Sequence, residues 1–329
     1  MNSSPTLKSP GMIASGRLPT ATPRPAYPAP GNGANSLASM HWTKVDNLFT
    51  ALRREVRSRR DWRHGPNRVH EVASESFNAV RPHATMVGQR FCDLGCGVFH
   101  PYGVSAVMFL NGARSTLGLD LHGSDARRAA EALADLLLEC LAFPDRWHWS
   151  ETPRDEFIAR VRQFDLAALM DGKLEKGLAG LPLANCITDI HSPMLAEGSI
   201  DVMTSRAVLE HFLDFGRAVE RFYALLSPGG VAFHHIDIVD HRAYEGPQHH
   251  FWSFLAEDEA WTDGVVNRLR SCEIRPHFER VGFEVLSYEN RRGTMPSGFL
   301  AQVKGRFKAM PAEELSITGV NCILRKPRS

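Results

Sequence analysis

The sequence contains no long apolar run. None of its 329 residues lies in a stretch of eighteen or more apolar residues, so no membrane span is expected. Residues 1–36 also lack the apolar core of a secretory signal, and we expect a cytoplasmic protein. With 43% hydrophobic and 23% charged residues, the composition is that of a globular protein with a substantial core.

Cysteine is scarce, and neither sign of charge is in excess. The six cysteines are scattered without a CxxC pair, which favours reduced thiols and argues against structural zinc. The formal net charge is +1, so the chain as a whole has no strong attraction for nucleic acid.

The N-terminal part differs in composition from the rest. Residues 1–36 hold seven prolines and few large apolar residues. We expect a disordered tail there, because such a segment cannot offset its ordering entropy by burial. Residues 37–88 have a helical pattern and are expected to cover the domain that follows. Six arginines between Arg53 and Arg63 indicate either a solvated helix face or a patch for an anionic substrate or RNA.

Residues 89–329 alternate short apolar runs with helical stretches, and two further strands follow near the end of the chain. This order predicts an α/β fold with a doubly wound, mostly parallel sheet of seven strands. Long helices are predicted over 206–226 and 258–282. Two segments are predicted to cover the pocket together with the N-terminal helices: a helical insert over 142–184 and the aromatic-rich stretch 243–275.

A glycine-rich turn follows the first predicted strand, in the stretch FCDLGCGVFHPYG at residues 91–103. Gly95 and Gly97 allow a sharp turn and close approach of a ligand. The third glycine of a dinucleotide fingerprint is absent, since its place is taken by His100. Asp93 stands directly before the turn, where a carboxylate would repel a pyrophosphate and would suit a cationic or zwitterionic ligand.

The same residues resemble the first motif, D/E-x-G-x-G-x-G, of class I S-adenosylmethionine-dependent methyltransferases, with Phe99 in place of the third glycine. Further stretches resemble later motifs of this family in the expected order: LGLD (117–120), TDI (188–190), SIDVMTSRAVLEHF (199–212), ALLSPGG (224–230) and ERVGFEV (279–285). The resemblance implies a Rossmann-like fold, S-adenosyl-L-methionine as cofactor, and methyl transfer as the reaction.

The resemblance also implies a set of cofactor-binding residues. In the family, the acid that ends the second strand accepts hydrogen bonds from both ribose hydroxyls. An acid after the third strand binds the adenine amino group, and the next residue lies against the ring. On this chain the implied set is Asp93, Leu94, Gly95, Cys96, Gly97, Asp120, Leu121, Asp189, Ile190 and Ser205.

Histidine and aspartate concentrate after the predicted fifth strand, in HHIDIVDH at residues 234–241. An acceptor that carries a proton needs a base, and imidazole titrates near neutral pH. We therefore predict His241, Asp237 and His211 as catalytic residues. The cluster could alternatively bind a metal ion or cap the strand end. We assign no metal ligands, and we interpret the pair Glu210–His211 mainly as structural.

Two sequence features that would mark particular acceptors are absent. There is no NPPY-type tetrapeptide after the fourth strand and no Pro-Cys nucleophile, which argues against amino-methylation of DNA and against cytosine C5 methylation. The aromatic stretch 243–275 favours a small organic acceptor over a long polymer, and we expect O- or N-methylation of a small molecule such as a sugar, a metabolite or a lipid-like compound. The alternatives are an RNA methyltransferase that uses residues 53–63 and a non-catalytic cofactor-binding scaffold.

Overall fold

The computed structural model describes residues 66–258 and 264–328. The chain divides into two units, residues 1–48 and 49–329, and every described residue belongs to the second unit. The predicted disordered tail (1–36), the arginines at 53–63 and most of the N-terminal cover lie outside the described residues. Within the described part, no helix combines the length and the apolarity that crossing a bilayer requires.

The described strands form one sheet. They are β1 (Arg90–Leu94), β2 (Ser115–Asp120), β3 (Leu183–Ile187), β4 (Ile200–Arg206), β5 (Leu226–Asp237), β6 (Glu284–Arg292) and β7 (Ile317–Arg325). Their order is β3-β2-β1-β4-β5-β7-β6, and β7 is antiparallel to both of its neighbours. The predicted doubly wound, mostly parallel sheet of seven strands is confirmed.

Helices cover both faces of the sheet. They are α1 (Pro66–Val80), α2 (Gly103–Leu110), α3 (Ala126–Ala142), α4 (Pro144–Trp147), α5 (Arg154–Val161), α6 (Leu166–Met170), α7 (Leu174–Gly177), α8 (Phe215–Leu225), α9 (Ser271–Val281) and α10 (Ala312–Leu315). Residues of α1–α7 form one apolar core and residues of α8 and α9 a second. Because side chains of a strand alternate, Phe91 of β1 enters the first core and Cys92 the second.

The carboxyl ends of the parallel strands define one edge of the sheet. The order reverses between β2 and β4 on either side of β1, and the crevice at such a reversal is where ligands bind in open α/β sheets. Asp93 of β1 pairs with Gly118 of β2 on one side and with Thr204 of β4 on the other. The glycine turn, the end of β2 and the end of β4 therefore meet at this edge.

The insert over 142–184 folds into the four short helices α4–α7. Asn111, which follows α2, anchors it: its Nδ2 donates to the carbonyl of Trp147, and its Oδ1 accepts from the backbone N of Trp149. The hydroxyl of Thr152 donates to the carbonyl of Asn111. Residues 147–152 thus lie beside the chain that leads into the amino end of β2. This part of the insert does not cover the opposite, carboxyl edge.

Two predicted helices are shorter than expected. The helix predicted over 206–226 begins only at Phe215, because Ala207 has a left-handed backbone (φ 53°) and the carboxylate of Asp214 caps the backbone N of Arg217. The helix predicted over 258–282 begins at Ser271, three residues after Arg268, which also has a positive φ (59°). Residues 207–214 instead form a loop with a single 3-10 turn at Leu209–His211.

The aromatic-rich stretch builds its own small core. Trp252 and Phe254 are 6% and 2% exposed and pack with Phe299, Phe307 and Leu315. By contrast, Tyr244 and Phe251 each remain 39% exposed. Two of the four described aromatic side chains in this stretch therefore stabilise the segment itself, and the other two present surface to the outside.

Candidate active site

The glycine turn after β1 is packed on one side and accessible on the other. Gly95 and Gly97 both have a left-handed backbone, with φ of 65° and 81°. A Cβ on Gly95 would lie 2.1 Å from Cγ2 of Val208, so the turn packs directly on the loop after β4. At Gly97, no described atom lies within 4 Å of the position that a Cβ would take. The backbone of Gly97 can therefore be approached by a bound molecule.

The carboxylate of Asp120 is held against this turn. Its Oδ2 accepts a hydrogen bond from the backbone N of Gly97 at 2.9 Å, and its Oδ1 accepts one from the backbone N of His122 at 3.0 Å. The side chain is 18% exposed, so its oxygens can be reached from outside. A carboxylate fixed in this way can accept further hydrogen bonds from two adjacent hydroxyls.

Asp93 lies beneath the turn and is almost fully buried. It is 7% exposed, and Oγ1 of Thr204 donates a hydrogen bond to its Oδ1 at 2.9 Å. Burial raises the pKa of Asp93 to about 7, and the negative charge of Asp120 acts in the same direction. A positively charged ligand nearby would favour the ionised form of this group.

Three other predicted cofactor residues turn their side chains inward. Leu94 and Cys96 are each 5% exposed and Ser205 is 1% exposed. The thiol of Cys96 donates to Oδ1 of Asn185, and the hydroxyl of Ser205 hydrogen-bonds Nδ1 of His234 at 2.8 Å. These side chains support the edge from below, and a ligand would meet them through the backbone.

Two exposed apolar side chains lie at the corner formed by β2 and β3. Leu121 is 64% exposed and Ile187, which pairs across from Asp120, is 70% exposed. Asp189 is also exposed, and its Oδ1 accepts from the backbone N of His191. Ile190, which the resemblance placed against the adenine ring, is 2% exposed and packs in the core. Ile187 was not predicted as a site residue, because the resemblance pointed to Asp189 and Ile190, whereas β3 already ends at Ile187.

The three predicted catalytic residues meet at the carboxyl ends of β4 and β5. The rings of His211 and His241 have centroids 5.0 Å apart. Nε2 of His241 lies 3.8 Å from Oδ2 of Asp237, and the hydroxyl of Tyr244 donates to that same oxygen at 2.6 Å. The loop that carries His211 also carries Val208, which packs on Gly95. The loop after β4 therefore contributes to the histidine cluster and also packs on the glycine turn.

Glu210 was interpreted mainly as structural, and it is more deeply buried than Asp237. It is 2% exposed, and among the described residues neither of its carboxylate oxygens has a hydrogen-bond partner. Its Oε1 lies 3.9 Å from Nε2 of His241. Burial raises the pKa of Glu210 well above its usual value, and the charge of Asp237 adds to the effect. The backbone N–H groups of Glu210 and Asp237 oppose it, although neither makes a hydrogen bond of normal geometry to the carboxylate. Only the Glu-His dipeptide could have indicated this residue from the sequence.

The remaining histidines of the HHIDIVDH stretch, His234 and His235, lie on opposite faces of β5. His234 stacks near Phe278 on the α8 and α9 face, and burial lowers its pKa to about 3. His235 faces α1, where it lies 3.6 Å from Glu75 and hydrogen-bonds Asn321. The opposite orientations of these two neighbours follow from strand alternation. Both side chains are committed to packing inside the fold.

Comparison with known proteins identifies the family. A family model for a methyltransferase domain matches residues 57–288, which is more than two thirds of the chain, and the chain belongs to this family. A search of curated proteins found no match. The protein is an S-adenosylmethionine-dependent methyltransferase, and the accessible backbone of Gly97 and the fixed carboxylate of Asp120 fit that cofactor.

Several solved structures are similar to this chain at low identity. An S-adenosylmethionine-dependent methyltransferase from Mesorhizobium loti is 20% identical, with a TM-score of 0.41, and the alignment covers 77% of this chain and 97% of the other. One from Methanosarcina mazei is 15% identical, with a TM-score of 0.41 and coverage of 76% and 97%. Phosphoethanolamine N-methyltransferase 2 from Haemonchus contortus, in complex with S-adenosyl-L-methionine, is 15% identical, with a TM-score of 0.43 and coverage of 78% and 52%.

Proposed function

We propose that this enzyme methylates an oxygen or nitrogen atom of a small-molecule acceptor, with the methyltransferase domain formed by residues 89–329. The observation that carries the proposal is the shared loop after β4. It packs on the glycine turn through Val208 and brings His211 to His241. A cofactor at the turn and an acceptor at the histidines would therefore be neighbours, as an in-line transfer requires.

In this proposal the cofactor lies along the ends of β1, β2 and β3. S-adenosylmethionine supplies a methyl group on a positively charged sulfur. Asp120 would accept hydrogen bonds from the ribose hydroxyls, because its carboxylate is already aligned by two backbone N–H groups. Leu121 and Ile187 would contact the adenine ring from their exposed positions, and Asp189 would accept from the adenine amino group. Asp93 would balance the positive charge of the methionine part.

On the acceptor side, His241 would take the proton that the acceptor loses. Asp237 lies 3.8 Å from Nε2 of His241 and would stabilise the imidazolium that forms. The hydroxyl of Tyr244 fixes the carboxylate of Asp237 through its 2.6 Å hydrogen bond. His211 would orient the acceptor from the opposite side of the cluster.

The preference for a small acceptor is supported by the surface around these residues. The ring of Tyr244 lies 5.6 Å from that of His241 and 5.7 Å from that of Phe251, measured between centroids. Both aromatic side chains are partly exposed. They provide a short apolar surface of the size of one or two rings. The RNA alternative depends on residues 53–63, outside the described part, and no described feature favours it.

A methyl-transfer screen tests the proposal. The enzyme would be incubated with methyl-labelled S-adenosylmethionine and, separately, with fractionated small metabolites and with total RNA, and the labelled product would be identified by mass. Asp120→Ala serves as the inactive control, and His249→Ala as a matched histidine variant outside the cluster. We expect label in a small molecule with wild type and with His249→Ala only. Label that enters RNA alone would contradict the proposal.

A further inference from the structure

Within the described part of the chain, the carboxylate of Glu210 is buried without the hydrogen-bond partners that such a group normally has. A carboxylate that is 2% exposed normally has hydrogen-bond or ionic partners, because burial of an unpaired charge is very unfavourable. Neither oxygen of Glu210 has a hydrogen-bond partner among the described residues. The missing partner can therefore be a bound group.

The imidazoles of His211 and His241 lie near the carboxylate of Glu210. Nδ1 of His211 donates to the carbonyl of Val265 at 2.9 Å, which leaves the lone pair of Nε2 for another partner. Metal-binding histidines typically have this arrangement, in which one ring N–H is held by a backbone carbonyl. His241 contributes from the other side, with Nε2 at 3.9 Å from Oε1 of Glu210.

The spacing of the three side chains suits a metal ion. One ligand atom from each of Glu210, His211 and His241 lies within 4.8 Å of the other two. Ligand atoms bound at about 2.0–2.2 Å around one cation are roughly 3–3.5 Å apart, so side-chain shifts of about 1 Å would close the site. His241 lies on the short 3-10 turn His241–Tyr244, where such a shift requires no change in the sheet.

We propose that Glu210, His211 and His241 bind one divalent transition-metal ion. Two imidazoles and one carboxylate are a donor set for zinc, iron(II), manganese or cobalt ions, with coordination positions left for water or substrate. If the proposed function holds, these open positions face the acceptor, and the acceptor class is one that presents an oxygen donor to the ion. The lone pair of His241 Nε2 is then used for coordination, so its role as base applies to the metal-free enzyme and Asp237 is the remaining proton acceptor.

Cobalt binding tests the proposal without reference to activity. The full chain would be stripped of metal with a chelator and titrated with Co²⁺ alone, with visible absorption and calorimetry as readouts. We expect one equivalent to bind with a d–d spectrum of nitrogen and oxygen ligation. Glu210→Gln and His211→Ala should each weaken binding by more than the roughly 10–100-fold that loss of a residue supporting a ligand costs, whereas His249→Ala should leave it unchanged. Having two ligand variants keeps the test valid if one of them fails to fold.

The outcomes separate this proposal from the proposed function. Absence of saturable Co²⁺ binding, or binding that folded Glu210→Gln and His211→Ala both retain, would overturn the metal site and would leave the methyl-transfer screen unaffected. Loss of Co²⁺ binding in these variants, with S-adenosylmethionine binding unchanged in calorimetry, would establish a metal site apart from the cofactor. A failed methyl-transfer screen would leave that result standing.

Discussion

The substitution Asp93→Asn removes the charge of Asp93 and keeps its hydrogen bond with Thr204. The asparagine oxygen can still accept from Oγ1 of Thr204, while the ionisable group is lost. Asp93 has a pKa of about 7 in the folded protein, raised by burial from 3.8. Ionising it in the folded state at pH 8 therefore costs about 4 kcal/mol relative to the unfolded chain.

The sign of the pH dependence follows from the raised pKa. The folded state binds the proton more tightly than the unfolded state, so the contribution of Asp93 to stability is present below pH 3.8 and is lost as the pH rises to about 7. We expect Asp93→Asn to unfold with nearly the wild-type free energy at pH 4. The unfolding free energy of Asp93→Asn should exceed that of wild type by a margin that grows by roughly 1.4 kcal/mol per pH unit. The margin should level off at about 4 kcal/mol above pH 7.

Urea unfolding followed by circular dichroism at pH 4, 5, 6, 7 and 8 measures this difference. Asp155→Asn, an exposed position on α5, is the matched control and should show no such trend. S-adenosylmethionine is positively charged, so Asp93→Asn should bind it more weakly than wild type at pH 8, although its fold is more stable. A difference in unfolding free energy that does not change between pH 4 and 8 would refute the reasoning.

Three further predictions concern the edge of the sheet. Asp120→Ala should abolish stabilisation by S-adenosylmethionine, which for wild type is about 2.7 kcal/mol at a hundredfold excess over Kd; a retained thermal shift would contradict the ribose role. Gly95→Ala should be severely destabilised because its Cβ would collide with Val208, whereas Gly97→Ala should lose only about 1–2 kcal/mol together with cofactor affinity. Equal melting temperatures of the two variants would argue against this difference. In metal-free enzyme, His241→Ala should bind cofactor normally in calorimetry but turn over about 100-fold more slowly, and unchanged turnover would remove it as the base.

Features that depend on local sequence pattern and on the connectivity of the strands were predictable from the sequence. The mostly parallel sheet follows from alternating strands and helices, and the acid that aligns with the turn, Asp120, follows from its place at the end of β2. His211, Asp237 and His241 were chosen as candidates for their chemistry, and they lie together because the carboxyl ends of parallel strands share one edge. Each of these inferences needs only local pattern and the connectivity of the sheet.

Features that depend on packing were not predictable in this way. The pattern over 206–226 has a helical period, yet the helix begins at Phe215. Ala207 has a left-handed backbone, Val208 packs on the glycine turn, and the cap by Asp214 sets the start of the helix. The exposure of Ile187 and the burial of Ile190 depend on where β3 ends.

The sequence by itself determined the class of fold, the glycine turn and the histidines that gather beside it, since periodicity and strand connectivity are encoded along the chain. Only the tertiary structure decided that the carboxylate of Glu210 is buried without a hydrogen-bond partner among the described residues. Burial and missing partners are properties of what surrounds a group in space. A sequence position specifies the group but not its surroundings, which for Glu210 come from three separate stretches of the chain.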